Sequence, residues 1–421
     1  MRGSVRKRGD PGTWEYRLEL GLQPAQRCQV CGVRRWLERR RLEVCPDCQG
    51  ELVDVQERRQ RTRAGFRTKR AAQEALDKAK VAEQRGETVE PSKLTVREYL
   101  LNTWLPAAKG SRKPSTYQGY RTLIEAYVVP ELGALPLQKL SPEAISDAYT
   151  RLQHEGRVKK TGGLSALSVR HVHACLHRAL SDAVRQHKIA RNPTDFVDDL
   201  PRVEERELSV WTGDELRAFL DSTRGDRLHG LWYVLATTGL RRGEALALRW
   251  PDLDFEHRRL AVRRNRVSVN GTVCQGSTKT KGGRRTVTLD GDTVAVLQEQ
   301  AARQLDEQGD WGEAWQASGY VFTREDGEPL HPDLVSRLFE KAVSAAKLPR
   351  IRLHDLRHTM ATLALEAGVH PKVVSERLGH ANIGITLNRY THVLGNMQAQ
   401  AAEAIGALVA GRKPDEPSDP S

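Results

Sequence analysis

Residues 354–393 read HDLRHTMATLALEAGVHPKVVSERLGHANIGITLNRYTHV, and the rest of the chain is organised around this stretch. Leu353, Leu356, Met360, Leu363, Ala364 and Ala367 recur at steps of three and four, which predicts a helix ended by Gly368 and Pro371. On that helix His354 and Arg357 stand at i and i+3 and share one face. Val373, Val374 and Leu378 predict a second short helix that stops at Gly379, with His380 just beyond the stop. Tyr390 arrives ten residues later, followed by Thr391, His392 and Val393. Two imidazoles, a guanidinium and a phenol therefore project from short elements joined by tight turns.

H-x-x-R, L-G-H and Y-T-H-V, in this order and at this spacing, resemble the C-terminal box of the tyrosine recombinases, the phage-integrase family. The resemblance continues upstream. TTGLRRGEALALRW carries Arg241 directly after a glycine turn, as in the family's T-G-L-R-x-x-E, and Glu244 one turn on reads as an anchor for a guanidinium or a backbone amide. STKTKGG resembles the family's lysine-bearing hairpin, where Lys279 is the better match and Lys281 the runner-up; Thr288 stands where the family usually has Pro. The resemblance thus implies a catalytic set of Arg241, Lys279, His354, Arg357, His380 and the nucleophile Tyr390. His358, His370 and His392 lie beside the motifs and are assigned to structure.

These residue types suit transesterification at a phosphodiester. A phenol with an ordinary pKa near 10 is a poor nucleophile and must be activated and aimed. Two guanidiniums offer fixed forks of donors to the non-bridging oxygens, where charge builds in the transition state. The resemblance implies attack by Tyr390 to give a 3′-phosphotyrosyl link, with Lys279 as acid for the 5′-oxygen. His354 would move a proton to or from the phenol, and His380 would donate to a phosphate oxygen. No catalytic metal and no ATP are required.

The 421 residues suffice for two or three domains with sizeable cores. No apolar run is long enough to span a bilayer, and MRGSVRKRGD lacks the apolar segment of a signal peptide, which points to the cytoplasm. The net charge is +13, and residues 1–70 hold 18 Lys and Arg against 9 Asp and Glu. The polyanionic partner implied by the charge is concentrated on the N-terminal sixth.

Four of the six cysteines form two C-x-x-C pairs, Cys28 with Cys31 and Cys45 with Cys48. In a cytosolic chain that pattern favours a structural Zn²⁺ held by four thiolates over disulfides or redox chemistry. Arg34, Arg35, Arg39, Arg40 and Arg41 in the same segment read either as DNA contacts or as a solvated face.

In chain order, Gly9–Gly12 predicts a turn between two strands, and Trp14, Tyr16, Leu18 and Leu20 alternate with polar residues. These strands resemble the start of an integrase arm-type DNA-binding domain. Its third strand and helix are expected at RTRAGFRTKRAAQEALDKAKVAE, with the cysteine segment inserted after the second strand. LTVREYLLNTWLP, PSTYQGYRTLIEAYVVPELG, SPEAISDAYTRLQHEG and SALSVRHVHACLHRALSDAVRQH have helical period, with Thr95, Ser115, Ser141 and Ser165 at or near their starts. Residues 191–210 read as an interdomain linker. Beyond it, helices are expected at 212–222, 228–237, 292–308 and 333–347. LAVRRNRVSV and RRTVTL read as strands, Asn270–Gly271 as a hairpin turn and YVFTREDGEPL as strand and turn.

The expected fold is α+β and multidomain. Residues 1–85 form a small three-stranded sheet plus helix with a four-cysteine zinc ribbon inserted at about 26–52. Residues 93–192 form a helical core-binding domain of SAM-like type. Residues 205–400 form a mainly α catalytic domain with a small antiparallel sheet, and 401–421 a further helix and a disordered tail. The resemblance implies a site-specific recombinase of a phage or integrative element, acting as a homo-tetramer on double-stranded DNA at core and arm sites. DNA-bending or directionality factors would accompany it. Alternatives are a relaxing enzyme of type IB topoisomerase character, or a non-catalytic architectural or repressor protein using the same surface.

Overall fold

In a computed structural model of the chain, the described residues are 2–9, 12–36, 41–84, 89, 91–156, 161–204, 208–277, 283–390, 402–403 and 405–410. They fall into two compact units, Met1–Arg112 with Gly119–Val203, and Lys113–Gln118 with Glu204–Ser421. Among the described residues no helix is long and apolar enough to cross a membrane.

The first unit opens with an antiparallel sheet of β1 (Gly3–Lys7), β2 (Trp14–Cys28), β3 (Arg34–Trp36) and β4 (Leu52–Phe66). β4 pairs along β2 from Trp14↔Phe66 to Cys28↔Leu52, and β1 and β3 share the opposite edge of β2. Helix α1 (Lys69–Gln84) packs Leu76 onto Tyr16 and Leu18, the small core of this sheet. The three expected strands are β1, β2 and β4, and the short β3 lies within the cysteine segment. The cysteine segment is not hung on a loop but grows out of β2 and β4, each 15 residues long. Residues 56–60 of β4 gave no strand signal because polar residues occupy both faces there, leaving no apolar alternation to read. Cross-strand pairing of Arg27 and Arg34 with Glu57 stands in for apolar contacts there.

The remainder of the unit is helical: α2 (Val96–Tyr99), α3 (Leu105–Ser111), α4 (Pro114–Leu123), α5 (Val129–Leu132), α6 (Pro142–Glu155) and α7 (Ala166–Arg185). Thr95 makes a full capping box with Glu98, and Ser141 and Ser165 cap α6 and α7 through their hydroxyls. The helical path runs through Pro106 and Pro130 instead of ending before them. Each proline is preceded by a π turn, Leu100–Trp104 or Ile124–Val128. Widening the turn accommodates the missing N–H and the ring's clash with the carbonyl four residues back.

The second unit carries α8 (Gly213–Ser222), α9 (His229–Thr238) and the one-turn α10 (Arg242–Ala245). Strands β5 (Leu253–Asp254), β6 (Arg259–Val262) and β9 (Arg285–Thr288) form one antiparallel sheet, and β7 (Arg264–Val269) and β8 (Thr272–Ser277) a hairpin. Asn270 and Gly271 both take positive φ, 51° and 78°, as the type I′ turn demands. Then come α11 (Gly291–Trp311), α12 (Pro332–Ala345), α13 (Asp355–Glu366), α14 (Pro371–Leu378) and α15 (Ile383–Arg389). YVFTREDGEPL contributes only the isolated bridges Arg249↔Tyr320 and Thr323↔Pro329. Trp211, Phe219, Trp232 and Phe339 interlock at the centre of the main core. The residues around Tyr390 rest on a separate cluster of Met360, Ala361, Leu365, Val374 and Leu378.

Candidate active site

Gly239 closes α9 in the left-handed conformation and delivers Arg241 to the N-cap of α10. Glu244, one turn on, takes a hydrogen bond at 2.8 Å from Arg241 Nη1 and one at 3.0 Å from the Arg241 backbone N–H. It thus anchors both groups between which the sequence left a choice. A third donor reaches the same carboxylate: Arg285 Nη2, at 2.9 Å. Glu244 and Arg285 are buried, whereas the Arg241 side chain is 41% exposed. Burial alone would raise the Glu244 carboxyl, but the hydrogen bond and charge of Arg285 and the charge of Arg241 outweigh it and hold the group below the usual carboxylate range.

Arg357 projects from the first turn of α13 and is 3% exposed. Its fork donates to Gly239 O at 2.6 Å and to Leu378 O at 2.7 Å, which ties α9, α13 and α14 together through one guanidinium. Burial, and then the charge of Arg241, pull it down to about 9, so it is still a cation at neutral pH. Three arginines around one carboxylate leave a positive excess, which suits an anionic ligand.

His354 is the N-cap of α13, and His380 follows Gly379, the left-handed C-cap of α14. His380 Nδ1 lies 2.8 Å from Thr386 Oγ1. Burial first, then the charges of Arg357 and Arg241, lower His380 to about 4; burial and Arg357 also lower His354. Tyr390 ends α15 fully buried, and burial raises its hydroxyl to about 12. The structure thus gathers Arg241, His354, Arg357, His380 and Tyr390 within one electrostatic neighbourhood. Lys279 and Lys281 lie outside the described residues.

The sequence reading passed over two participants. Arg285, an ordinary strand residue by pattern, is the second cation on Glu244. His358, assigned to structure, has Nδ1 2.8 Å from the Tyr390 hydroxyl. The available signal was its i+4 spacing from His354, which puts both rings on one helix face.

The sulphurs of Cys28, Cys31, Cys45 and Cys48 lie within 4.8 Å of one another, a cluster that can hold a metal ion. Tetrahedral thiolates about 2.3 Å from a zinc ion would stand about 3.8 Å apart; the Cys28–Cys48 and Cys31–Cys45 spacings are 3.4 and 3.7 Å. The Cys31 and Val30 backbone N–H groups point at the Cys28 sulphur, where they would stabilise the thiolate a metal needs. Nearby, Arg34 and Arg59 both lie over the Trp36 ring. Arg34, Arg35 and Arg41 pair with Glu57, Asp47 and Asp54; Arg39 and Arg40 lie outside the described residues.

The sequence pattern of the phage integrase family matches residues 210–397, and that of the phage integrase N-terminal SAM-like domain matches residues 96–153. A tyrosine recombinase XerC-like protein of Caldanaerobacter subterraneus subsp. tengcongensis is 31% identical over 328 residues, covering 73% of this chain and 82% of its own length. The ICEBs1 integrase of Bacillus subtilis is 27% identical over 312 residues, covering 74% and 82%. Among solved structures, the Tn1549 transposon integrase in complex with a circular intermediate DNA has a similar fold, with a TM-score of 0.60 at 23% identity over 70% of this chain and 95% of that one. A lambda integrase tetramer bound to a Holliday junction gives 0.52 at 20% identity over 76% and 87%. Given these matches, the chain belongs to the phage integrase family of tyrosine recombinases.

Proposed function

We propose that the chain is the integrase of a phage or other mobile element, cutting and rejoining DNA at specific sites to integrate or excise that element. The observation that carries this reading is the phenol of Tyr390 buried beside an anion-seeking set of Arg241, Arg357, His354 and His380. In the reaction Tyr390 Oη attacks the scissile phosphorus, forming a 3′-phosphotyrosyl link and releasing a 5′-hydroxyl. Arg241 and Arg357 hold the non-bridging oxygens as their charge grows, and His380 donates to one of them. Lys279 protonates the leaving 5′-oxygen, with Lys281 the other candidate. His354 belongs to the imidazole set that moves the phenol proton. The bond energy is kept in the covalent link, so rejoining is the same step reversed.

The proposed division of labour gives residues 1–85 the arm-type DNA sites, 93–192 the core DNA, and 205–400 the chemistry. The Cys28, Cys31, Cys45 and Cys48 cluster holds a structural Zn²⁺ with no position open for catalysis. Double-stranded DNA is the partner, a homo-tetramer the active assembly, and the cytoplasm the site of action, with accessory factors setting direction.

Covalent trapping tests the reading. Wild type and Tyr390→Phe are incubated, without added metal, with nicked suicide duplexes made from the DNA flanking the gene, and run on denaturing gels. A protein–DNA adduct in wild type alone is the expected result. No adduct on duplexes that the protein binds would favour an architectural DNA-binding protein. Relaxation of supercoiled DNA without site preference would favour the topoisomerase reading.

A further inference from the structure

The Tyr390 side chain is set among Met360, Ala361, Leu365, Val374 and Leu378, with the charges of Arg357 and Arg389 acting on its hydroxyl. The partner of that hydroxyl is Nδ1 of His358, 2.8 Å away, with the two rings 5.9 Å apart. On its other side His358 meets the ring of His354 edge-on, with centroids 5.1 Å apart and planes at 86°. His358 is thus in contact with both His354 and Tyr390.

We propose that His358 Nδ1 accepts the proton of Tyr390 as the phenol oxygen attacks the scissile phosphate. The role rests on the recombinase reading. The Oη–P bond forms, the P–O5′ bond breaks, the phenol proton passes to His358, and the leaving 5′-oxygen takes a proton from the general acid, Lys279 in that reading. Rejoining returns each proton. With Nε2 protonated, the neutral imidazole presents its Nδ1 lone pair to the phenol O–H, which leaves the oxygen's own lone pairs free for phosphorus.

The surroundings support this. The groups facing His358 are His354, Asp355 and Arg357 at the start of α13, His380 after α14, and Arg389 and Tyr390 from the end of α15. Burial first, then His354, hold the imidazole down to about 4, so it is an unprotonated acceptor throughout the physiological range. A phosphodiester seated between Arg241 and Arg357 adds negative charge nearby and shifts the imidazole upward, the direction proton acceptance requires.

The test is single-turnover cleavage of a nicked suicide duplex by the full chain from pH 6 to pH 10. Wild type should show a nearly flat profile. His358→Ala should cleave about 10²-fold more slowly near neutrality, with a log rate that climbs one-for-one with pH because hydroxide must take the proton. Added imidazole should restore part of that rate in proportion to its concentration. His358→Asn keeps an acceptor close to the place of Nδ1 but cannot take a proton, so it should bind DNA as wild type does and keep the sloped profile. This variant carries the test if the alanine variant fails to fold. A flat, wild-type profile in either variant overturns the role of His358 alone. Absence of any adduct from wild type overturns the recombinase reading, and this role with it.

Discussion

The sulphurs at the tip of the β2–β4 ribbon come from one short segment, residues 28–48, whereas the groups around Tyr390 come from positions between 239 and 390. The ribbon tip has almost no apolar interior: Cys28, Cys45 and Leu52 are its buried cluster. A bound ion would supply the cohesion that a core supplies elsewhere. The groups around Tyr390 are held by protein contacts instead, since Arg357 joins three helices and Glu244 holds two guanidiniums. One centre is a local cluster that a ligand would stabilise; the other is a by-product of the whole second unit's packing. Damage to the first should stay local, and damage to the second should cost stability and chemistry together.

The sharpest way to break that contrast is Arg357. Arg357→Ala should reduce adduct formation by at least 10²- to 10³-fold, roughly the loss from deleting one transition-state donor. It should also lower stability by about 2 kcal/mol, since two buried carbonyls lose their partner. Arg357→Lys should recover little of either, because an ammonium cannot span both carbonyls. An inactive variant melting at the wild-type temperature would separate chemistry from architecture and refute the coupling.

Glu244→Gln should come next, with cleavage reduced about tenfold or more through a misplaced Arg241, in line with the cost of losing an outer partner of a functional group. The Glu244 carboxyl is lowered in the folded protein, so its stabilisation is complete above the ordinary carboxyl pKa and is lost as pH falls through the lowered value. The gap in melting temperature between wild type and Glu244→Gln should therefore be constant near neutrality and close below about pH 4. A gap that widens on acidification would contradict this assignment.

Removing metal tests the other centre. Chelation, or Cys45→Ser, should open residues 28–52 to limited proteolysis while adduct formation on a core-site duplex changes by less than about threefold, since the two centres belong to different compact units and independent sites contribute additively. Loss of cleavage in step with the ribbon would show the two centres to be coupled. The smallest effect expected is from Trp36→Ala. Losing the Arg34 and Arg59 contacts should cost about 0.5–1 kcal/mol each at so exposed a place, read as weaker protection of the ribbon with cleavage unchanged.

The sequence made features legible where one residue type meets one local demand. Asn270–Gly271 supplied the hairpin turn, Thr95, Ser141 and Ser165 the helix starts, and Gly379 the stop before His380. The motif spacing likewise named the residues now found around Tyr390. It could not announce the full length of β4, where residues 56–60 are polar on both faces, nor the passage of a helix through Pro106, which depends on a widened turn. Arg285 and His358 were missed because their partners, Glu244 and Tyr390, are 41 and 32 residues away and only folding brings them together.

The complete burial of Tyr390 bears on how such a protein can travel. A searching DNA-binding protein meets an overwhelming excess of wrong sequences before a right one. A strand-breaking oxygen carried on the outside would turn each of those meetings into a chance of a nick. With Tyr390 as the proposed nucleophile, keeping it indoors would make idle contact harmless, and breakage would become something a correct complex must unlock. A delay to the first cut would then safeguard every stretch of DNA visited on the way.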